Sequence, residues 1–151
     1  MLILGIETSC DETSVAVVKN GRLVLSNVIF SQIEMHRKTG GVVPEVAARE
    51  HIIKIIPVIE EALAKSHCSL KEIDAIAVTY GPGLLTSLLT GINTAMTLAL
   101  TLGIPLIPVN HIEGHMYANW LGEDCEPQFP LVVLTASGGH NELILWKNHG
   151  Q

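Results

Sequence analysis

Leu4-Gly5-Ile6-Glu7-Thr8-Ser9-Cys10-Asp11-Glu12-Thr13-Ser14-Val15-Ala16-Val17-Val18-Lys19-Asn20 reads as an apolar strand, a small polar turn, a second strand rich in β-branched residues and a turn signal. A shift of 128 positions lays it over Val132-Val133-Leu134-Thr135-Ala136-Ser137-Gly138-Gly139-His140-Asn141-Glu142-Leu143-Ile144-Leu145-Trp146-Lys147-Asn148, which has the same order of parts. Ser9 then meets Ser137, and Lys19-Asn20 meets Lys147-Asn148. Identities are few, so chance similarity of two hairpins is the plain alternative. Taken as a repeat, the two stretches open two lobes: a first over residues 1–122, a linker over 123–129 and the first hairpin of a truncated second over 130–151. Two such turns facing each other across a cleft would suit nucleotide phosphates, because glycines let backbone amides approach closely.

Outward from the first hairpin, Asn20-Gly21 is the strongest short turn signal, so Arg22 to Ser31 should return as a third antiparallel strand. Gln32 to Val42 is polar, ends in Gly40-Gly41 and reads as a loop carrying the basic cluster His36-Arg37-Lys38. Pro44 suits a first helical turn. Val46, Ala47, His51, Ile52, Ile55, Ile59 and Leu63 mark the inner face of an amphipathic helix that Pro57 should kink. Ser69 can cap a short turn before a strand over Asp74 to Tyr80. Gly81-Pro82-Gly83 is a sharp turn into an apolar helix, Leu84 to Leu102, stopped by Gly103. That turn could offer amides to an anion or be purely structural. Leu106 to Val109 is a short strand, and Asn110 is a good N-cap for a helix starting near His111. The predicted order is βββαβαβα followed by a restarting ββ, an α/β fold.

The chain of 151 residues has the length of about one domain, with 48% apolar residues and a mean hydropathy of +0.39. An aromatic share of 4% makes the expected core aliphatic. A net charge of -6 argues against a broadly basic nucleic-acid surface while leaving room for a local basic patch. Cys10, Cys68 and Cys125 are widely spaced and odd in number, which indicates neither a disulfide framework nor a zinc ribbon. No basic start precedes the apolar N-terminus, Glu7 interrupts it, and no apolar run reads as long enough to span a membrane. The expectation is a soluble cytoplasmic protein without membrane contact.

Asn110-His111-Ile112-Glu113-Gly114-His115 places two imidazoles four residues apart, on one helical face. This spacing suits a divalent metal, yet a pair without its third ligand is half a motif, and capping or surface histidines are the other reading. Glu113 does not stand where the glutamate of His-Glu-x-x-His would.

Taken jointly, Gly5 to Thr13, Gly40-Gly41-Val42-Val43-Pro44-Glu45, Gly81-Pro82-Gly83-Leu84, Asn110 to His115 and Ser137-Gly138-Gly139-His140 resemble the bacterial transferase family that makes threonylcarbamoyladenosine in tRNA. The resemblance implies an actin, hexokinase and Hsp70-ATPase-like (ribonuclease H-like) lobe followed by the start of a duplicated second one. It implies transfer of a threonylcarbamoyl group from threonylcarbamoyl-AMP to N6 of the adenosine 3′ of the anticodon. His111 and His115 carry over as ligands of one divalent metal, iron or zinc, whose third ligand in the family is an aspartate of the second lobe. Thr135, Ala136, Ser137, Gly138 and Gly139 carry over as the donor-binding turn, and Asp11 and Glu12 as an acidic pair on the opposite turn. Implied partners are tRNA, a paralogous subunit and a small ATPase. Ala136, Asn141-Glu142 and Thr97 depart from the family's usual valine, Thr-Gln and basic residue.

On this reading the chain folds but is incomplete as a catalyst, and its uncovered lobe surface should self-associate. The rival readings are a metallopeptidase of the O-sialoglycoprotein endopeptidase type, a non-catalytic partner subunit and a small-molecule kinase of the same superfamily. Cys10 and His140 read as a buried small residue and a turn residue.

Overall fold

Asn20 and Gly21 both adopt positive φ, 55° and 74°, the pair of conformations a type I′ turn requires. They join strand β2 (Glu12–Lys19) to β3 (Leu23–Ser31), and β1 (Leu2–Glu7) pairs antiparallel with β2 on its other side. The computed structural model describes residues 1–37, 40–122, 127–136 and 141–150.

The segment expected to be a loop instead contains a short helix, α1 (Ile33–Arg37). Tertiary bonds hold it: His36 Nε2 lies 3.1 Å from the Gln32 side-chain oxygen, and His36 Nδ1 accepts from the Val43 amide at 3.3 Å. His36 is therefore buried, and Arg37 pairs with Glu34 at 3.1 Å, so these two members of the basic cluster are not a free cationic patch. Lys38 lies outside the described residues.

Helix α2 (Pro44–Ser66) starts on its proline, continues through Pro57 and ends in a left-handed cap at His67. Its inner face is Ala47, His51, Ile55, Val58, Ile59 and Ala62. Val46 and Ile52, expected on that face, are exposed. Isoleucines lie on both sides of this helix: Ile55 and Ile59 are buried, while Ile52, Ile53 and Ile56 are exposed. A capped turn at Ser69 leads to β4 (Ala75–Gly81), then α3 (Leu85–Leu102) and β5 (Leu106–Asn110).

Helix α3 corrects one expectation, because by length and composition it could cross a membrane. Its hydroxyls are turned inward to its own backbone: Thr90, Thr94, Thr97 and Thr101 each donate to the carbonyl four residues earlier, at 2.7–3.3 Å. Here α3 lies beside α2 against β4.

The five strands form one sheet in the order β3-β2-β1-β4-β5, with β4 parallel to both β1 and β5. Alternation along the strands divides its faces. Leu4, Ile6, Val15, Val17, Ile76 and Val78 meet α2 and α3 in the aliphatic core. Gly5, Glu7, Ser14, Ala16, Ala77 and Thr79 line the opposite face, a hollow of about 400 Å³ bounded by helix α4 (His111–Tyr117).

β6 (Leu131–Ala136) and β7 (Asn141–Trp146) form a separate two-stranded sheet. Its pairing repeats the first hairpin in register: Leu4↔Val17, Ile6↔Val15 and Glu7↔Ser14 become Val132↔Leu145, Leu134↔Leu143 and Thr135↔Glu142, each shifted by 128. A second core of Met116, Trp120 and Trp146 with Phe129 and Ile144 joins this hairpin to α4 and the short turn Ala118–Trp120 that follows it.

Candidate metal centre

The Asn110 side chain accepts from the Ile112 and Glu113 amides, at 2.9 and 3.4 Å, and so fixes the start of α4 directly at the end of β5. His111 is thereby the first helical residue, and His115 follows one turn later on the same face. Their Nε2 atoms converge to 3.0 Å, with the ring planes 82° apart. Glu113 lines a different hollow, with Tyr80, Pro82, Glu142 and Ile144, between the end of β4, helix α4 and strand β7. Among the described residues no cluster of three His, Cys, Asp or Glu side chains could hold a metal. The two convergent nitrogens fit two positions of a divalent cation's coordination shell and no more.

Behind His111 stands a residue to which the sequence reading gave no role in the site. Glu7, at the end of the central strand β1, has Oε2 3.1 Å from His111 Nδ1, and Ser9 Oγ lies 3.2 Å from the same nitrogen. The Ser9 amide donates to the other carboxylate oxygen. Burial is the largest single influence on Glu7 and pushes its pKa up, but bonds from the Ser9 hydroxyl, Thr79, the Ser9 amide and His111 together outweigh it. The net result is a carboxyl held below its ordinary value and ionised at neutral pH. The only sequence signal was a lone acid ending an apolar strand.

Asp11 sits on the turn between β1 and β2 and Glu12 opens β2, and neither lines the hollow under the histidine pair. The turn is braced by His51 of α2, which is fully buried: its Nδ1 lies 2.7 Å from Thr13 Oγ1, and its Nε2 donates to the Cys10 carbonyl at 3.0 Å. The Gln32 backbone N–H donates to the Asp11 carbonyl at 3.0 Å. Cys10 is not buried, as had been expected, but its thiol is pushed up to about 11 by partial desolvation and by Asp11, which makes it a poor nucleophile.

The turn at Gly81-Pro82-Gly83 serves the same region. The Leu84 amide donates to the Ser9 carbonyl at 2.7 Å, so this donor is used within the fold. A side chain on Gly83 would put its Cβ 2.5 Å from that carbonyl oxygen, and one on Gly91 would lie 2.4 Å from Thr8 Oγ1. Thr8 in turn donates to the Ser87 carbonyl at 2.9 Å. Thr8 and Ser9 are thus clamped onto the first turns of α3. Of the expected donor turn, Thr135 is buried at the end of β6 and Ala136 pairs with Asn141. Ser137, Gly138, Gly139 and His140 lie outside the described residues.

Residues 23–151 match the family model for tRNA N6-adenosine threonylcarbamoyltransferase. The chain is 60% identical to a protein of that description from Thermomicrobium roseum, over 99% of this chain and 42% of the relative. It is 57% identical to one from Symbiobacterium thermophilum, over 99% and 44%, and 54% identical to one from Dehalococcoides mccartyi, over 100% and 46%. The chain spans less than half the length of these relatives. Among solved structures, YeaZ from Pseudomonas aeruginosa is similar with a TM-score of 0.54 and 25% identity, over 73% of this chain and 45% of that one. A Pseudomonas aeruginosa protein with similarity to peptidase YeaZ gives 0.56 and 22%, over 95% and 63%.

Proposed function

Because the chain belongs to the tRNA N6-adenosine threonylcarbamoyltransferase family, we propose that it supplies the histidine-bearing lobe of a transferase acting from threonylcarbamoyl-AMP onto N6 of the adenosine 3′ of the anticodon. The observation that carries this reading is the convergence of His111 and His115 Nε2 at 3.0 Å on the helix that leaves the sheet. These two nitrogens would hold one divalent metal, iron or zinc. When bound, such a cation supplies Lewis acidity to the oxygens of the donor.

This chain's own residues do the rest. Asn110 caps the helix that carries both imidazoles, and Glu7 orients that of His111. The turn from Thr135 to Gly139 is assigned the donor, through backbone amides. Transfer forms the bond from N6 to the carbamoyl carbon, breaks the bond from that carbon to the phosphate oxygen, and releases AMP and a proton. Asp11 and Glu12 are assigned to that proton, a role supported by the bracing of their turn by His51. Exocyclic N6 is a weak nucleophile, so positioning carries much of the rate.

The finer fold reading is an actin-like lobe over 1–122 and the opening of a duplicated lobe over 130–151. It is supported by the common register of the two hairpins and their separate cores. A peptidase reading lacks a carboxylate beside the Nε2 pair among the described residues. Exposed Val46, Ile53 and Ile56 of α2 and Leu89 and Met96 of α3 support a protein partner or self-association, and we assign tRNA, a paralogous subunit, a small ATPase and a cytoplasmic setting on the family relation.

The test is nucleoside mass analysis of tRNA incubated with threonylcarbamoyl-AMP and either this chain or the chain joined to a complete second lobe. We expect transfer only from the joined protein, lowered roughly 100-fold or more by His111→Ala or His115→Ala. Unchanged transfer in both variants would overturn the assignment.

A further inference from the structure

We infer that His51 is a positioning residue: its imidazole grips the chain on both sides of Asp11 and Glu12 and so sets where their carboxylates stand for the proton released in the transfer. The inference rests on the assignment of that proton to the two acids, and it adds the residue through which α2 holds them.

On the inner face of α2, His51 stands one helical turn from Ala47 and one from Ile55, with Val58, Ile59 and Ala62 beyond. A fully buried imidazole is the exception in that aliphatic row. Both of its nitrogens are spent on one four-residue segment: Nε2 donates to the Cys10 carbonyl at 3.0 Å, and Nδ1 is bonded to the Thr13 hydroxyl at 2.7 Å. A hydroxyl can donate or accept, so the second bond holds whichever charge the ring carries. Asp11 and Glu12, both half-buried, lie between the two anchors.

The backbone of this segment is pinned at three successive carbonyls. That of Ser9 accepts from the Leu84 amide at 2.7 Å, that of Cys10 from His51, and that of Asp11 from the Gln32 amide at 3.0 Å. Thr13, the fourth fixed point, is itself fully buried. The Cα–Cβ directions of Asp11 and Glu12 are thereby set, and only their own side-chain rotations remain. Two of the three carbonyl donors are main-chain N–H groups, so His51 is the one whose substitution releases the frame. An apolar residue at position 51 would strip the Cys10 carbonyl and the Thr13 hydroxyl of these partners together.

The test uses the chain joined to a complete second lobe, in steady-state transfer to tRNA. His51→Ala should lower kcat about 10–100-fold and leave KM for tRNA and for the donor within about threefold, because placement is lost and binding is not. His51→Gln, whose amide can still donate to the Cys10 carbonyl, should recover most of the rate. In a background of Asp11→Asn with Glu12→Gln, His51→Ala should cost less than about a further threefold, since a frame without acids to place has little left to lose. Unchanged kcat in His51→Ala, or a loss that multiplies in full with that of the acid variant, would overturn the inference. If His51→Ala does not fold, Thr13→Val, which removes the other anchor, decides it by the same cycle. Transfer indifferent to Asp11→Asn with Glu12→Gln would sink the assignment of the acids and the inference with it, whereas transfer that needs the acids and ignores His51 would sink the inference alone.

Discussion

The two hairpins share a register and differ in what they touch. Leu4, Ile6, Val15 and Val17 of the first are at most 3% exposed, sealed by α2 and α3. Their counterparts in the second, Val132, Leu134, Leu143 and Leu145, are 60–71% exposed. The same alternation of apolar residues therefore specifies a strand pair and the sidedness of its faces, but not the burial of either face, which comes from helices elsewhere in the chain. The second hairpin is held by its opposite face instead, where Trp146 meets Trp120 and Phe129 at ring distances of 5.2 and 5.3 Å. An isolated pair of strands is marginal in water, so this aromatic joint is what orders it.

That contrast can be broken most forcefully at the joint. Trp146→Ala should cost about 3–5 kcal/mol locally, and hydrogen exchange should then show β6 and β7 losing protection while β1, β2 and β4 keep theirs. Equal loss in both sheets would mean that the two cores are one cooperative unit. Next in size, Leu4→Ala should lower stability by about 2–5 kcal/mol in urea unfolding, whereas its counterpart Leu134→Ser should shift it by less than about 0.5 kcal/mol. Comparable losses at the two positions would show that the second hairpin's outer face is covered in solution.

The smallest effect is electrostatic. Glu7 is held below its ordinary carboxylate value in the folded chain, so its contribution is fully present above the unfolded value of about 4.3 and is lost as pH falls through the lower folded value. Glu7→Gln should flatten the acid limb of the stability profile and leave the profile above about pH 6 parallel to wild type. A steeper acid limb in the variant would reverse the sign assigned here.

Much of this was legible in the residues. The Asn20-Gly21 turn, the Asn110 cap and the Gly103 stop are local chemistry, and each element they bound is where they place it. The repeat was visible as a pattern of apolar and polar positions, and its register follows the same shift. What could not be read depends on distant neighbours. Helix α1 forms because Gln32 and His36 are buried together beneath α2, which no five-residue pattern records. Glu7 and His111 are 104 positions apart, and a single acid on an apolar strand does not announce its partner. Likewise His51 kept the helical period of a core residue and gave no hint that both of its nitrogens serve the neighbouring turn. In α2 the isoleucines were too evenly spread for periodicity alone to choose the buried side.

Both tryptophans of the chain, Trp120 and Trp146, lie in that one aromatic joint, with ring centres 5.2 Å apart and edge to face. All indole emission of this chain therefore arises at the seam between α4 with the turn that follows it and the second hairpin. The protein carries a built-in optical gauge of that seam, blind to the aliphatic core and readable without any label.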